Sequence, residues 1–207
     1  MSGRGRLVAF EGGEACGKST QAAILARRLG AVLTHEPGGT AVGSRIRELL
    51  LDIATADLDA RAEALLMAAD RAQHVAAVVR PALESGRDVV TDRYIGSSLA
   101  YQGHGRRLGV EEVGRISSWA TGGLDADVVV MLDVPDAVAA ARLGSARDRL
   151  EAEGPDFHRR VIEGFRALAA AEPGRWVVVD GDGSVEEVAA RVEAAVAARI
   201  PLGERPS

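Results

Sequence analysis

Residues 12–20, near the N-terminus, have the composition and spacing of a phosphate-binding loop. Gly12, Gly17, Lys18 and Ser19 match the pattern Gly-x-x-x-x-Gly-Lys-[Ser/Thr] without a gap. Glycines let the backbone curl so that successive N–H groups point at phosphate oxygens, and a following helix adds its positive dipole end. The pattern predicts that Lys18 binds the β- and γ-phosphates of ATP and that the Ser19 hydroxyl binds Mg²⁺. The residues expected to bind ATP are Gly12, Gly13, Glu14, Ala15, Cys16, Gly17, Lys18, Ser19 and Thr20.

Lys18 is also the only lysine of the chain, because the other 24 of its 25 basic residues are arginine. A compact ammonium group therefore stands at this one position in a chain that otherwise uses a planar guanidinium. The alternative is a chance match in a sequence that contains 24 glycines. The apolar run before the loop and the helical spacing after it favour the phosphate loop.

A second candidate pair, Asp92 and Arg93, follows an apolar run. An acid next to a base suits an enzyme whose acceptor is itself an anion, since Arg93 can hold an acceptor phosphate bidentately. Asp92 can order water around Mg²⁺, or it can form an ion pair with Arg93. A guanine-nucleotide switch is excluded, because its base-reading motif needs asparagine and this chain has none.

Short β-rich runs alternate with helical patterns along the chain and supply the elements that position these residues. This alternation predicts an α/β fold with a five-stranded, mainly parallel sheet flanked by helices. The expected strands are 7–10, 31–34, 88–91, 128–134 and 176–180. The expected helices are 21–29, 43–52, 60–84, 110–120, 135–143, 157–171 and 185–199.

A charged segment at 142–154 contains Arg142, Arg147 and Arg149 and few apolar residues. We interpret it as a short lid that brings arginines to a phosphate; the alternative is a solvated connector. No break along the chain is long enough for a linker, so residues 1–207 are expected to form a single domain. The polar tail at 201–207 is expected to fray.

The overall composition narrows the possible partners and the compartment. The net charge of −5 argues against general nucleic-acid binding, and no apolar run is long enough to cross a membrane. A single cysteine excludes an internal disulfide and fits the cytoplasm.

Four further motifs, in order and with suitable spacing, resemble those of the thymidylate kinase family. They are Glu-Pro-Gly-Gly-Thr at 36–40, Ala-Ala-Asp-Arg at 68–71, Asp-Arg-Tyr at 92–94 and Ser-Ser-Leu-Ala-Tyr-Gln-Gly at 97–103. The resemblance implies phosphorylation of dTMP to dTDP with ATP and Mg²⁺. It also implies the P-loop nucleoside monophosphate kinase fold with a lid, a single kinase domain and a homodimer.

By this resemblance, several side chains surround the acceptor dTMP. Arg93 and Arg47 match arginines that contact the acceptor phosphate, and Arg71 matches an arginine that hydrogen-bonds a thymine carbonyl. Tyr101 matches a tyrosine beside the deoxyribose, where its ring would crowd a ribose 2′-hydroxyl. For Arg47 and Arg71 the alternative is a solvated arginine on a helix, and for Tyr101 it is a core aromatic residue.

The base itself is expected to contact Pro37, Met67, Ser98 and Gln102, again by resemblance. Met67 stands where the family usually has a phenylalanine stacked on thymine, and a thioether makes a more flexible contact. His35 stands where an arginine commonly precedes the Glu-Pro-Gly-Gly motif.

The lid arginines follow from the composition of the phosphate loop, which has no basic residue at positions 13–16. Family members take the arginine that stabilises the transferring phosphoryl group either from this loop or from the lid, so this chain resembles the lid type. Arg149, within Asp-Arg-Leu-Glu at 148–151, matches the lid pattern best. The expected catalytic residues are Lys18, Arg93, Arg142, Arg147 and Arg149, and the expected metal-site residues are Ser19, Asp92 and Glu14.

Two alternatives remain open at this point. The first is a P-loop kinase for another deoxynucleoside monophosphate or for a deoxynucleoside, which Met67 and His35 allow. The second is a nucleotide-binding regulator without turnover. Arg93 and the lid arginines argue against the regulator, because a binding protein needs no clamp for an acceptor.

Overall fold

A computed structural model describes residues 3–142 and 148–200, and its strands form one parallel sheet. In chain order the strands are β1 Leu7–Glu11, β2 Val32–His35, β3 Val89–Asp92, β4 Val128–Asp133 and β5 Trp176–Asp180. They lie side by side in the order β2-β3-β1-β4-β5. Each predicted strand is present with its ends shifted by at most one residue, which confirms the expected five-stranded α/β fold.

Helices cover both faces of this sheet. They are α1 Lys18–Leu29, α2 Ala41–Leu51, α3 Ala60–His74, α4 Arg80–Glu84, α5 Ile95–Ser98, α6 Val110–Thr121, α7 Asp136–Arg142, α8 Pro155–Ala171 and α9 Val185–Ala197. The predicted helix 60–84 is continuous but passes through a π-helical turn at Val75–Val79 between α3 and α4.

A second π-helical segment, Leu99–Gly105, continues α5 and was not predicted. Glycines at positions 96, 103 and 105 lower its intrinsic helix propensity, so the local pattern does not show it. The short 3₁₀ turn Ile53–Thr55 was missed for a similar reason, because three residues carry no periodicity.

The core has two halves, one on each face of the sheet. On one face, Val8 and Phe10 of β1 pack with side chains of α1 and α9. On the other face, Leu7 and Ala9 pack with side chains of α8, of the π-helical turn Val75–Val79 and of α4. Strands that are covered on both faces read as nearly continuous apolar runs, which is why the sequence located them well.

The strand register determines where the candidate site lies. Phe10 of β1 and His35 of β2 both pair with Asp92 of β3, so these three strands end at the same edge. The central strand β1 has β3 on one side and β4 on the other. The loops after β1, β2 and β3 therefore open into the crevice at which parallel sheets bind ligands.

Part of the predicted lid is described and part is not. Helix α7 ends at Arg142, and the chain is described again from Asp148. Residues 143–147, with Arg147, and the predicted tail at 201–207 lie outside the described residues. Across residues 3–142 and 148–200, no helix combines the length and the apolar run that a membrane span needs.

Candidate active site

A cavity of about 690 Å³ opens at the carboxyl edge of the sheet and brings most of the predicted site residues together. The predicted residues that line it are Glu14, Ala15, Gly17, Lys18, Ser19, Thr20, Pro37, Arg47, Met67, Arg71, Asp92, Arg93, Ser98, Tyr101, Gln102 and Arg142. Of the remaining ones, Gly12, Gly13, Cys16 and Arg149 do not line it, and Arg147 is outside the described residues.

The phosphate loop joins the end of β1 to the first turn of α1. Gly17 has a φ of 96°, which an L side chain rarely adopts, and Lys18 is the first residue of the helix. A Cβ on Gly12 would lie 2.5 Å from the carbonyl oxygen of Leu132 in β4, so the loop follows the sheet closely. The side chain of Cys16 is buried in the core between the sheet and α1 and does not line the cavity.

The Lys18 side chain turns back toward the phosphate loop. Its Nζ donates to the carbonyl oxygen of Gly13 over 2.6 Å and lies 3.5 Å from Sγ of Cys16. The helix N-terminus and this ammonium group together make the positive side of the cavity, where phosphate oxygens would be stabilised.

Two of the predicted metal-site residues, Ser19 and Asp92, face each other at the strand ends. Ser19 Oγ donates to Asp92 Oδ2 over 2.5 Å. The other carboxylate oxygen, Asp92 Oδ1, is buried and has no hydrogen-bond partner among the described residues. A hydroxyl beside an unpartnered carboxylate oxygen is a donor set that Mg²⁺ accepts, since this ion combines one or two protein oxygens with water and phosphate.

Arg93 is held over the cavity by Glu14 and Tyr101. The Arg93 guanidinium lies 2.7 Å from Glu14 Oε1, and the Tyr101 hydroxyl donates to the same oxygen. Burial alone would raise the pKa of Glu14, but the charges of Arg93 and Lys18 outweigh it and lower that pKa to about 2. Glu14 is therefore ionised throughout the neutral range and fixes Arg93 in its place.

Glu11, which was not predicted from the sequence, binds the chain segment that directly follows Arg93. Its fully buried carboxylate accepts hydrogen bonds from the backbone N–H groups of Tyr94 and Ser97, both at 3.0 Å, and from Ser97 Oγ at 2.6 Å. Arg93 itself has a φ of 70°, a left-handed conformation that the surrounding contacts must hold. An acidic residue at the end of an otherwise apolar strand was the signal that could have identified Glu11.

The base end of the cavity is built around Arg71. Its Nε donates to Glu36 over 2.8 Å, and its other nitrogens donate to Ser98 Oγ at 3.0 Å and to the carbonyl oxygen of Tyr94 at 2.9 Å. The other Glu36 oxygen lies 2.8 Å from Nδ1 of the buried His74. Arg71 is thus not a solvated arginine on a helix face: it is buried, fixed at several points and still borders the cavity.

Three other predicted residues border the cavity in different ways. Arg47 donates to the carbonyl oxygen of Pro37 over 3.0 Å, which ties α2 to the loop after β2. Met67 is partly buried against the core and also borders the cavity. The Tyr101 ring packs edge-on against aromatic residues of α8, and its hydroxyl binds Glu14 at the cavity, so its place beside a deoxyribose stays a prediction.

Arg149 requires a correction. The prediction had it meeting the phosphoryl group, but its side chain is buried away from the cavity. Its guanidinium donates to Glu63 over 2.7 Å and to the carbonyl oxygen of Leu50 over 2.8 Å. The physical reason is that Glu63 is a fully buried carboxylate, which requires a cation beside it. In this structure Arg149 anchors the segment that begins at Asp148 to α2 and α3.

Arg142 remains at the cavity as a candidate from the lid. It ends α7, its guanidinium donates to the carbonyl oxygen of Gly181 over 3.2 Å, and its side chain is about one-third exposed. A positively charged side chain that is only lightly held can turn toward a phosphate when one binds.

Comparisons with known proteins agree with this geometry. The family model for thymidylate kinase matches residues 10–192. A thymidylate kinase of Leifsonia xyli subsp. xyli is 52% identical over 204 residues, covering 95% of this chain and 96% of that protein. A thymidylate kinase of Synechococcus sp. (strain JA-2-3B'a(2-13)) is 50% identical over 201 residues, covering 95% and 96%. A thymidylate kinase of Bifidobacterium longum (strain DJO10A) is 50% identical over 197 residues, covering 91% and 96%.

Proposed function

We propose that this chain, which belongs to the thymidylate kinase family, transfers the γ-phosphoryl group of ATP to dTMP and releases dTDP and ADP. The observation that carries the proposal is that one cavity contains both a phosphate loop and a second cationic group, Arg93, for an acceptor. A regulator that only binds a nucleotide has no use for this second group.

Catalysis of this reaction consists largely of positioning and charge neutralisation. The acceptor phosphate is already ionised near neutral pH, so no general base is needed. Lys18 and the N–H groups of the loop hold the donor phosphates, and Arg93 holds the acceptor phosphate at the strand end. Two polyanions that repel each other in water are thereby brought into one geometry.

Mg²⁺ is proposed as the cofactor that neutralises charge on the ATP phosphates. Ser19 Oγ and Asp92 would hold it, and the unpartnered Asp92 Oδ1 supports this assignment. Glu14, which was grouped with the metal residues, is proposed to orient Arg93 and Tyr101, because its Oε1 is already bound to both.

Substrate choice is proposed to depend on the opposite end of the cavity. Arg71 would donate to a pyrimidine carbonyl, and Pro37, Met67, Ser98 and Gln102 would surround the base. The Tyr101 ring, held beside Arg93 with the guanidinium 5.0 Å from its centroid, would crowd a ribose 2′-hydroxyl and favour the deoxy sugar.

We further propose that the chain is a single P-loop kinase domain that acts as a homodimer in the cytoplasm. Exposed apolar side chains on neighbouring helices support contact between two copies: Val42 and Leu49 on α2, Leu65 on α3 and, at 85% exposure, Trp119 on α6. Helix α3 packs against both α2 and α6, and large exposed apolar residues commonly mark an interface. The single cysteine supports a reducing compartment.

The test is a coupled assay of ADP release with ATP, Mg²⁺ and a panel of acceptors: dTMP, dUMP, UMP, dCMP, dAMP and dGMP. We expect the highest kcat/KM with dTMP and a clear preference for deoxy over ribo acceptors. A higher kcat/KM with another monophosphate would mean that dTMP is not the preferred substrate. A rate of ADP release that no acceptor changes would contradict the proposal.

A further inference from the structure

Glu63, on the first turn of α3, is fully buried and accepts hydrogen bonds from three side chains that belong to two separate parts of the chain. Gln102 Nε2 donates to its Oε1 over 2.9 Å. Its Oε2 accepts from Arg106 at 2.9 Å and from Arg149 at 2.7 Å. The sequence assigned Gln102 and Arg149 but neither Glu63 nor Arg106, although Glu63, Met67 and Arg71 are spaced by four residues and share one helix face.

The two arginines keep Glu63 ionised. Burial alone would raise the pKa of its carboxyl, but the hydrogen bonds from Arg106, Gln102 and Arg149 outweigh burial and lower that pKa. An ionised carboxylate accepts hydrogen bonds and cannot donate one. The neighbour of Glu63 in the cavity wall must therefore turn a donor toward it.

That neighbour is Gln102, whose amide has one donating and one accepting end. With Nε2 bound to Glu63, the accepting end, Oε1, must point elsewhere. Gln102 borders the cavity and is 1% exposed, and its Oε1 is buried without a hydrogen-bond partner in the described part of the chain. A buried acceptor without a partner is costly, so a ligand that supplies an N–H at this point is favoured.

We propose that Glu63 is a positioning residue that fixes the Gln102 amide with its carbonyl oxygen toward the cavity, so that the site selects a pyrimidine carrying a ring N–H. This inference rests on the proposed function, since it assumes that a nucleoside monophosphate binds here. Thymine and uracil carry a ring N–H between two carbonyls, whereas cytosine has an acceptor nitrogen there. Glu63 thereby excludes cytosine without touching the base.

The experiment compares Glu63→Gln with the parent chain, using the Kd and kcat/KM of dTMP, dUMP and dCMP. An amide at position 63 can donate or accept a hydrogen bond. The Gln102 amide can then rotate by a half turn and point its NH₂ group, instead of its oxygen, toward the cavity. We expect the preference for dTMP over dCMP to fall roughly tenfold or more, because the acceptor is no longer fixed. The ratio of dTMP to dUMP should stay within about twofold, since both bases carry the same N–H. An unchanged preference for dTMP over dCMP would overturn the inference.

Two control variants separate positioning from simple loss of stability. Glu63→Asp keeps an acceptor-only group and should retain the preference for dTMP over dCMP. Asp88→Asn removes another buried carboxylate, paired with Arg6 at the opposite end of β3, and should lower stability without changing that preference. If Asp88→Asn and Glu63→Gln lower the preference equally, the effect is general and the inference fails.

A measurement on the parent chain keeps the inference testable if Glu63→Gln does not fold. The side-chain amide protons of Gln102, assigned in a ¹⁵N-labelled chain with Gln102→Met, should keep their nuclear Overhauser contacts with Glu63 when dTMP binds, because these protons face Glu63. Nuclear Overhauser contacts between these protons and thymine would overturn the inference. If the parent chain neither binds nor phosphorylates dTMP, the proposed function is contradicted. The orientation of the Gln102 amide can still be determined from the spectra recorded without ligand.

Discussion

Arg149 and Glu63 form an ion pair of 2.7 Å in which both side chains are almost completely buried. The pair joins the part of the predicted lid that begins at Asp148 to the first turn of α3, which also carries Met67 and Arg71 at the cavity. Arg149 therefore fastens the charged segment 142–154 near Met67 and Arg71, whereas Arg142, at the other end of this segment, borders the cavity directly.

The variant Arg149→Ala should lower the free energy of unfolding by about 3–5 kcal/mol, because it leaves a buried carboxylate with one cation fewer. Urea denaturation followed by circular dichroism measures this change. Arg159→Ala is the matched control, since Arg159 pairs with Asp156 at the surface and its loss should change stability by less than about 1 kcal/mol. If Arg149→Ala keeps the parent's stability but has a much lower kcat, Arg149 contacts the phosphoryl group after all and the buried ion pair is not its main role.

Arg142→Ala should lower kcat by at least about tenfold while changing the KM for dTMP much less, since a charge that meets the phosphoryl group late acts mainly in the transition state. Steady-state kinetics with ATP and dTMP measure both constants. Arg191→Ala is the control, because Arg191 binds carbonyl oxygens of Asp180 and Asp182 and does not line the cavity. If Arg142→Ala stays within about threefold of the parent, the stabilising charge comes from another residue, and Arg147 becomes the next variant to measure.

Glu11 should make stability depend on pH. Burial raises its pKa from 4.5 to about 7, so the folded chain keeps a proton that the unfolded chain has lost. This contribution is complete below the unfolded pKa and is lost as the pH rises through about 7. We expect the free energy of unfolding of the parent, relative to Glu11→Gln, to fall by on the order of 1–3 kcal/mol between about pH 4.5 and pH 8. A difference that stays constant over this range would show that folding does not raise the pKa of Glu11.

Lys18→Ala should reduce kcat by at least about 100-fold, the size of effect that removing one stabilising donor has in other active sites. Lys18→Arg should not restore it, because a planar guanidinium does not fit where Nζ lies 2.6 Å from the Gly13 carbonyl oxygen. Thermal unfolding should show that both variants fold. If either folded variant has a kcat near the parent value, Lys18 does not bind the donor phosphates in the way proposed.

The sequence predicted the strands, and it identified the phosphate loop and Arg93, which the structure places at one cavity, because each depends on local pattern. Apolar runs located strands that are buried on both faces, and the loop requires glycines and lysine at fixed spacing. Neither Glu11 nor Glu63 was predicted, because each acts through partners that lie about 40 to 90 positions away and that the fold alone brings near. Arg149 was misplaced for the same reason: its motif is local, whereas the buried carboxylate that holds it is not.

The identity of the products tests the central claim most directly. The purified chain would be incubated with ATP, Mg²⁺ and dTMP, and the nucleotides would be separated by anion exchange and quantified over time. We predict that dTDP and ADP appear in equal amounts and that both form at least about 100-fold more slowly in Lys18→Ala. ADP that accumulates without dTDP, or no consumption of dTMP at all, would contradict the assignment of this chain as a kinase for dTMP.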